Sequence, residues 1–260
     1  MADLEYSVAD HVATILLNRP HRKNAFTMEM IDAWADALQR AEADADVRAV
    51  VVTGADGAFC SGVDLGVLGD QERTPLGQKD MLTRRIHKVA FAVEALTKPY
   101  LAAVDGPAVG AGMDMALMCD LRFAADTVRF CEGYIRVGLV PGDGGCYYLP
   151  RIVGAATALR LLWTGDFVEA EEALAIGLVS AVHPAAELLP AVREFAGRLA
   201  AQPPVAVQLI KRAVREGERH DLRTALDLIS SHMGVVTSTR DSQEAMAAFT
   251  ERRPGVYEGR

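Results

Sequence analysis

Long apolar runs are missing from this sequence. No uninterrupted apolar stretch in its 260 residues approaches the roughly 18 that a membrane-spanning helix needs, so no span is expected. The first residues carry Asp3, Glu5 and Asp10 ahead of any apolar run, which is not the basic-then-hydrophobic layout of a secretory signal. Cysteine is scarce. Cys60, Cys119, Cys131 and Cys146 show no C-x-x-C spacing and no paired histidines nearby, which argues against a structural zinc site and against a disulfide framework. Basic charge is in deficit, 27 Lys and Arg against 35 Asp and Glu, a net charge of −8 that offers no broad electrostatic footprint for nucleic acid. Arg84-Arg85 with Lys88, and Lys211-Arg212 with Arg215, are local basic clusters best read as solvated helix faces. Fixed-period repeats and low-complexity tracts are also absent. These absences lead to the expectation of a cytoplasmic protein with reduced, mostly buried thiols, no metal, no nucleic acid and no membrane.

Half of the residues are apolar, enough for a sizeable core in a chain of this length. The N-terminal half alternates β-like runs with helical periodicity. Strands are expected at residues 12–17, 47–53, 100–104 and 121–124, and helices at about 28–43, 79–96 and 110–118. That succession predicts an α/β core. From Ala155 the pattern is almost wholly helical, interrupted by one strand at 178–182. The clearest boundary is Ala201-Gln202-Pro203-Pro204, with Pro204 well suited to a first helical position, so residues 1–200 are taken as core and 201–260 as a helical region. Residues 66–79, with Gly66, Gly69, Pro75 and Gly77, have little apolar periodicity and read as a mobile loop.

Two glycine-bearing turns carry the chemistry, Ala58-Phe59-Cys60-Ser61-Gly62-Val63-Asp64-Leu65 and Asp105-Gly106-Pro107-Ala108-Val109-Gly110-Ala111-Gly112-Met113-Asp114. Each follows a β-like run and leads towards a helix, where backbone N–H groups are left free to face an anion. Two such junctions facing each other would make an oxyanion hole.

With these turns come Asn18-Arg19-Pro20-His21-Arg22-Lys23-Asn24-Ala25-Phe26, then Val137-Gly138-Leu139-Val140-Pro141-Gly142-Asp143-Gly144-Gly145, and finally Phe249-Thr250-Glu251-Arg252-Arg253-Pro254. In this order and at this spacing they resemble the crotonase, or enoyl-CoA hydratase/isomerase, superfamily over nearly the whole chain. The resemblance implies an α/β spiral of repeated ββα units and a helical C-terminal trimerisation region, with trimers often paired into hexamers. It implies an acyl-CoA thioester as ligand, with coenzyme A part of the substrate and no separate cofactor. By position, Val63 and Ala111 would hold the thioester oxygen. Arg22, Lys23, Ala25, Asp64 and Leu65 look like contacts on the adenine side, and Arg252 or Arg253 like the basic residue that reaches the phosphates, with a solvated helix end as the alternative. At the second turn the family usually has three glycines, and this chain has Ala111 between Gly110 and Gly112.

The acid and base positions depart from the family pattern. Hydratases of the superfamily place two glutamates across the substrate; the matching positions here hold Asp114 and Tyr134. Aspartate draws the carboxylate back by about an ångström. Tyrosine, with an unperturbed pKa near 10, donates a proton or hydrogen bond but is a poor base at neutral pH. Asp143 is a further acid near the acyl chain or, alternatively, a helix N-cap. Glu132 either shares a face with Tyr134 on an extended segment or is a surface charge. His21 and His87 read as structural or solvent-facing. Two functions stay open. One is an enzyme forming a thioester enolate, with Asp114 as base, Tyr134 as acid or positioning group and Asp143 as a second base. Double-bond isomerisation is favoured there over hydration, beside decarboxylation, thioester hydrolysis and ring opening. The other is a carrier that binds acyl-CoA without turnover.

Overall fold

The computed structural model describes residues 2–64, 66 and 74–260. The chain opens with a hairpin that the sequence patterning did not announce: β1 (Leu4–Ala9) runs antiparallel to β2 (Val12–Leu17), with Ala9 paired to Val12. Its two-residue turn is Asp10-His11, both at positive φ (49° and 63°), the backbone that closes a tight hairpin with the right twist. Next comes α1 (Met28–Ala43), capped where Met30 N–H donates to Thr27 Oγ1 at 3.3 Å. Ile31, Trp34, Leu38 and Ala41 give α1 a continuous buried face.

β3 (Ala49–Gly54), β4 (Tyr100–Val104), β6 (Leu121–Ala125) and β9 (Ala181–His183) add in parallel to β2, giving a six-stranded sheet ordered β1-β2-β3-β4-β6-β9. Alternate residues serve opposite faces. Val50, Val52, Ala102 and Val104 share a core with α1, and Ala49, Val51, Leu101 and Ala103 pack against α8 (Ala185–Ala200) through Leu188, Val192 and Ala196. Covered on both sides, these strands read as near-continuous apolar runs. A second sheet of β5 (Pro107–Val109), β7 (Arg129–Cys131) and β8 (Val168–Glu169) lies beside the first. The turn after β3 joins it through a Cys60–Ala108 bridge, and the next two turns of chain give one strand to each sheet, β4 and β5, then β6 and β7.

Two expectations need correction. The segment expected as loop up to Lys79 is helical from Pro75: Thr74 accepts from Gly77 N–H at 3.1 Å and starts α2 (Pro75–Met81). The long helical segment expected at about 79–96 is present within an unbroken helical stretch from Pro75 to Ala95, where α2 and α3 (His87–Ala95) are joined by one wide π-type turn over Leu82–Ile86. The last strand is Ala181–His183, because Leu178 and Val179 are buried within the turn after Gly177.

α4 (Ala111–Leu117) follows β5, and α5 (Gly145–Val153), α6 (Ala155–Thr164) and α7 (Ala170–Ala175) follow β7. Past α8 the chain breaks at Ala201–Pro203 and continues as α9 (Pro204–Gly217), α10 (Leu222–Thr237) and α11 (Arg240–Glu251), a helical C-terminal region. α9 is held to the core by polar contacts. Asp120 accepts from Lys211 Nζ at 2.7 Å, Arg215 at 2.9 Å and Tyr100 N–H at 2.8 Å. The basic cluster around Lys211 is therefore partly internal. The cluster around Lys88 remains on the surface, where Arg85 and Lys88 pair with Asp32. Among the described residues no helix is long and apolar enough to cross a membrane. Cys60, Cys119 and Cys131 are buried free thiols, and Cys146 is exposed.

Candidate active site

The two glycine turns meet. Val109 N–H donates to Cys60 O at 3.0 Å, and a Cβ placed on Gly62 would stand 3.1 Å from Val109 O and 3.6 Å from Ala111 N. Gly62, at φ 98°, also needs the conformation that glycine supplies. Gly112 faces Cys60 so closely that a Cβ there would fall 2.1 Å from the Cys60 carbonyl oxygen. Ala111 is the first residue of α4, where N–H groups have no intrahelical partner. No hydrogen bond from Val63 N–H or Ala111 N–H is made to the described residues.

The loop before α1 is laced to the first turn. Asn24 is buried, with its amide nitrogen donating to Ala55 O (2.9 Å) and Ala58 O (2.7 Å) and its oxygen accepting from Arg19 N–H (2.8 Å). Ser61 N–H donates to Lys23 O, Phe26 N–H to Gly62 O and Asp64 N–H to Phe26 O. Arg22 and Lys23 lie exposed on this loop, Ala25 is buried, and the Ala25 carbonyl accepts from Arg19. Asp64 is engaged by Arg19 at 2.5 Å and by Gly66 N–H at 2.8 Å, and the Arg19 hydrogen bond holds its carboxyl below the usual range. Leu65 lies outside the described residues. Arg252 is exposed at the end of α11 and its side chain makes no ion pair with the described residues, whereas Arg253 is committed to Glu244 and Glu251.

One helical turn after Ala111, Asp114 points into a cluster with Tyr134 and Asp143. Tyr134 Oη lies 2.7 Å from Asp114 Oδ2 and 3.1 Å from Asp143 Oδ2, and the tyrosine ring rests beside Gly110. All three predicted acid–base residues are thus in one place. Asp143 is not an N-cap: Gly144 takes that position before α5, with no side-chain cap bond. His87, read as structural or solvent-facing, reaches this loop, its Nε2 lying 2.7 Å from Gly142 O. The wide turn at Leu82–Ile86 brings Leu82 onto Gly142 as well. Turns of this type are frequent where a helix re-aims side chains at a site.

Glu132 corrects two expectations. The segment is not extended, since residues 133–137 form a 3-10 turn, and Glu132 is not a surface charge: it is 1 % exposed, beside Asp114 at 0 % and Asp143 at 3 %. The signal available in the sequence was a carboxylate directly after the apolar pair Phe130-Cys131, a weak one. Burial pushes Asp114 up to about 7, with the Tyr134 hydrogen bond opposing and Asp143 adding to the rise. Burial and the Asp114 charge push Glu132 up to about 10. Asp143 is raised by burial, against the Tyr134 hydrogen bond, and the Tyr134 hydroxyl is raised by burial and by both aspartates. At neutral pH the cluster therefore holds protons. It contains a carboxyl poised near neutrality, the setting that favours general acid–base work on a carbon acid.

The comparisons agree with this architecture. The crystal structure of an enoyl-CoA hydratase from Bacillus anthracis superposes with a TM-score of 0.95 at 32 % identity, covering all of both chains. A short-chain-enoyl-CoA hydratase of Clostridium acetobutylicum is 37 % identical over 93 % of this chain and 92 % of its own. A 1,2-epoxyphenylacetyl-CoA isomerase of Escherichia coli is 33 % identical over 96 % and 95 %. The family model for enoyl-CoA hydratase/isomerase matches residues 7–260, so this chain belongs to that family and is an acyl-CoA enzyme of the crotonase fold.

Proposed function

We propose that the chain forms an enolate from an enoyl-CoA thioester and moves its double bond, isomerisation being favoured over hydration. The observation that carries this reading is Tyr134 Oη set between Asp114 and Asp143. A carboxyl stands at each end of the cluster, and a phenol occupies the position where a second glutamate would hold water. The thioester oxygen is received by the N–H groups of Val63 and Ala111. Asp114, as carboxylate, takes a proton from the carbon next to the unsaturated system; the electron pair moves onto the thioester oxygen, and the two N–H donors stabilise the charge. Loss of one such donor costs about a hundred- to a thousandfold in rate. The proton returns at the other end of the conjugated system, from Asp114 or from Asp143, and Tyr134 joins the two carboxyls. No water is consumed. Coenzyme A itself is held along the loop of Arg22, Lys23 and Ala25 and beside Asp64, with Arg252 for the phosphates. Trimers or hexamers of the chain are supported by the exposed apolar side chains of the C-terminal helices, Ile210, Val214, Leu226, Met233 and Phe249.

The test is a panel of saturated, 2-enoyl, 3-enoyl and malonyl-type CoA thioesters incubated with the purified protein in D2O, followed by liquid chromatography with mass spectrometry. Interconversion of 2- and 3-enoyl thioesters, with deuterium incorporated and no added water, is expected. Faster formation of a 3-hydroxyacyl product would make the protein a hydratase. Binding without any product would make it a carrier, and full turnover by Asp114→Ala would remove Asp114 as base.

A further inference from the structure

Glu132 is a buried carboxyl that makes no ion pair with a basic side chain among the described residues. The strongest charges acting on it come from Asp114 on α4, Cys146 on α5 and Asp143 in the loop before α5, and all three oppose its ionisation; Tyr134 follows it on the same turn. His87, reaching in from α3, acts on Asp143. Neither oxygen of Glu132 meets a donor among the described residues, and neither does Asp114 Oδ1. A charged carboxylate in that position would bear the full cost of desolvation.

Gly145 shows where these unpartnered oxygens meet. A Cβ at that position would stand 2.5 Å from Asp114 Oδ1, 2.9 Å from Glu132 Oε1 and 3.1 Å from Glu132 Oε2. Three carboxyl oxygens therefore converge on one point above the first residue of α5, and only a residue without a side chain leaves room for them. Asp114 Oδ2 already accepts from Tyr134, which leaves Oδ1 for Glu132. Two carboxyls in contact in a dry site cannot both ionise, and a single proton between them satisfies both.

We infer that Glu132 is a positioning residue of this site: it remains a carboxylic acid and donates its proton in a hydrogen bond to Asp114 Oδ1, holding the Asp114 carboxylate between two donors. The inference rests on Asp114 as the base of the proposed reaction. Asp114 then keeps one orientation, with Glu132 on one oxygen and Tyr134 on the other. The protons released near pH 7 and near pH 10 belong to the pair and not to either residue alone. Across the interval between those values the pair carries one negative charge, and beyond it a second charge would oppose enolate formation.

Three variants test this. Glu132→Gln keeps an N–H donor for Asp114 but has no proton to lose, Glu132→Ala removes the donor, and Gly145→Ala drives the two carboxyls apart. The wild-type minus Glu132→Gln infrared difference at pH 8.5 should contain the C=O absorption of a protonated carboxylic acid, fading as pH rises towards 10. Asp143, present in both proteins, cancels. For the thioester that is turned over, kcat should fall about tenfold or more in Glu132→Ala, the scale of a lost hydrogen bond to a charged group. It should stay within about threefold in Glu132→Gln, with KM little changed in both. Gly145→Ala should resemble Glu132→Ala in kcat and keep the acid absorption at a shifted frequency. Absence of the acid band from the difference spectrum, or full kcat in Glu132→Ala, overturns the inference. The infrared arm needs no turnover, so a present band in a protein inactive on every thioester would count against the assigned reaction and leave the pair standing.

Discussion

The phenol of Tyr134 donates to Asp114 Oδ2 at 2.7 Å while its oxygen stands 3.1 Å from Asp143 Oδ2. A phenol has one proton, so it serves one carboxylate at a time. The other contact is satisfied when Asp143, whose pKa is raised by burial, carries a proton of its own. The result is a chain of three groups through which protonation at one end is felt at the other.

Removing that hydroxyl isolates the two ends. Tyr134→Phe keeps the ring against Gly110 and should fold normally, while kcat on the thioester that is turned over falls about ten- to a hundredfold, the scale of hydrogen bonds to charged groups. Steady-state kinetics beside Asp143→Asn check this. An unchanged kcat in Tyr134→Phe would mean that the two aspartates act independently.

Stability should depend on pH through Glu132. The upper titration of its pair with Asp114, about 10, lies above the ordinary 4.5 of a glutamate, so the native pair keeps a proton that the unfolded chain releases. The contribution is complete below about pH 4.5 and is lost as pH rises through that window towards 10. Glu132→Gln, which cannot ionise, should therefore gain on the wild type by up to about 1.4 kcal/mol per pH unit between pH 5 and 9. Urea unfolding at several pH values measures the gap; a constant gap would contradict it.

The hold of α9 on the core should depend on Asp120. Asp120→Ala leaves Lys211 and Arg215 without their shared carboxylate and the buried Tyr100 N–H without an acceptor. Because the group is partly exposed, a loss of about 3 kcal/mol is expected, at the lower end for a broken buried pair. For a chain of this size that is a fall in Tm of about 6 to 12 °C. Differential scanning calorimetry would show it.

Gly112→Ala tests the close approach of the two turns. The added methyl would overlap the Cys60 carbonyl, a backbone atom that moves only with the whole turn. A cost of about 1 to 3 kcal/mol is expected, together with a large loss of kcat/KM because Gly62, Val63 and Ala111 would be displaced together. Unaltered kinetics in a folded variant would separate the turn packing from catalysis.

Much of this protein is written locally. The period-2 and period-3.6 patterns of residues 12–17, 28–43 and 204–217 specify their elements because each buries one stripe or face, and the ordered glycine turns identify the family because each needs a particular backbone. Asp114, Tyr134 and Asp143 were also recognisable by position. The hairpin at Asp10-His11 escaped because its first strand lies at a sheet edge and is largely exposed, so burial imposes no apolar run on it. The helix from Pro75 escaped because its glycine and proline content resembles a loop, and only the Thr74 cap gives its start away. What no linear pattern contains is the environment of each side chain. Glu132 and Asp114 lie 18 positions apart, and whether a carboxyl is a solvated charge or a buried acid depends on what packs around it. Gly145 looks like any turn glycine until two carboxyls are found above it. The sequence by itself determined the family and the α/β succession, and it nominated candidates for the reactive residues. Tertiary structure alone decided which of them touch and which hold protons, because desolvation and contact between like charges arise only when distant segments share one dry volume.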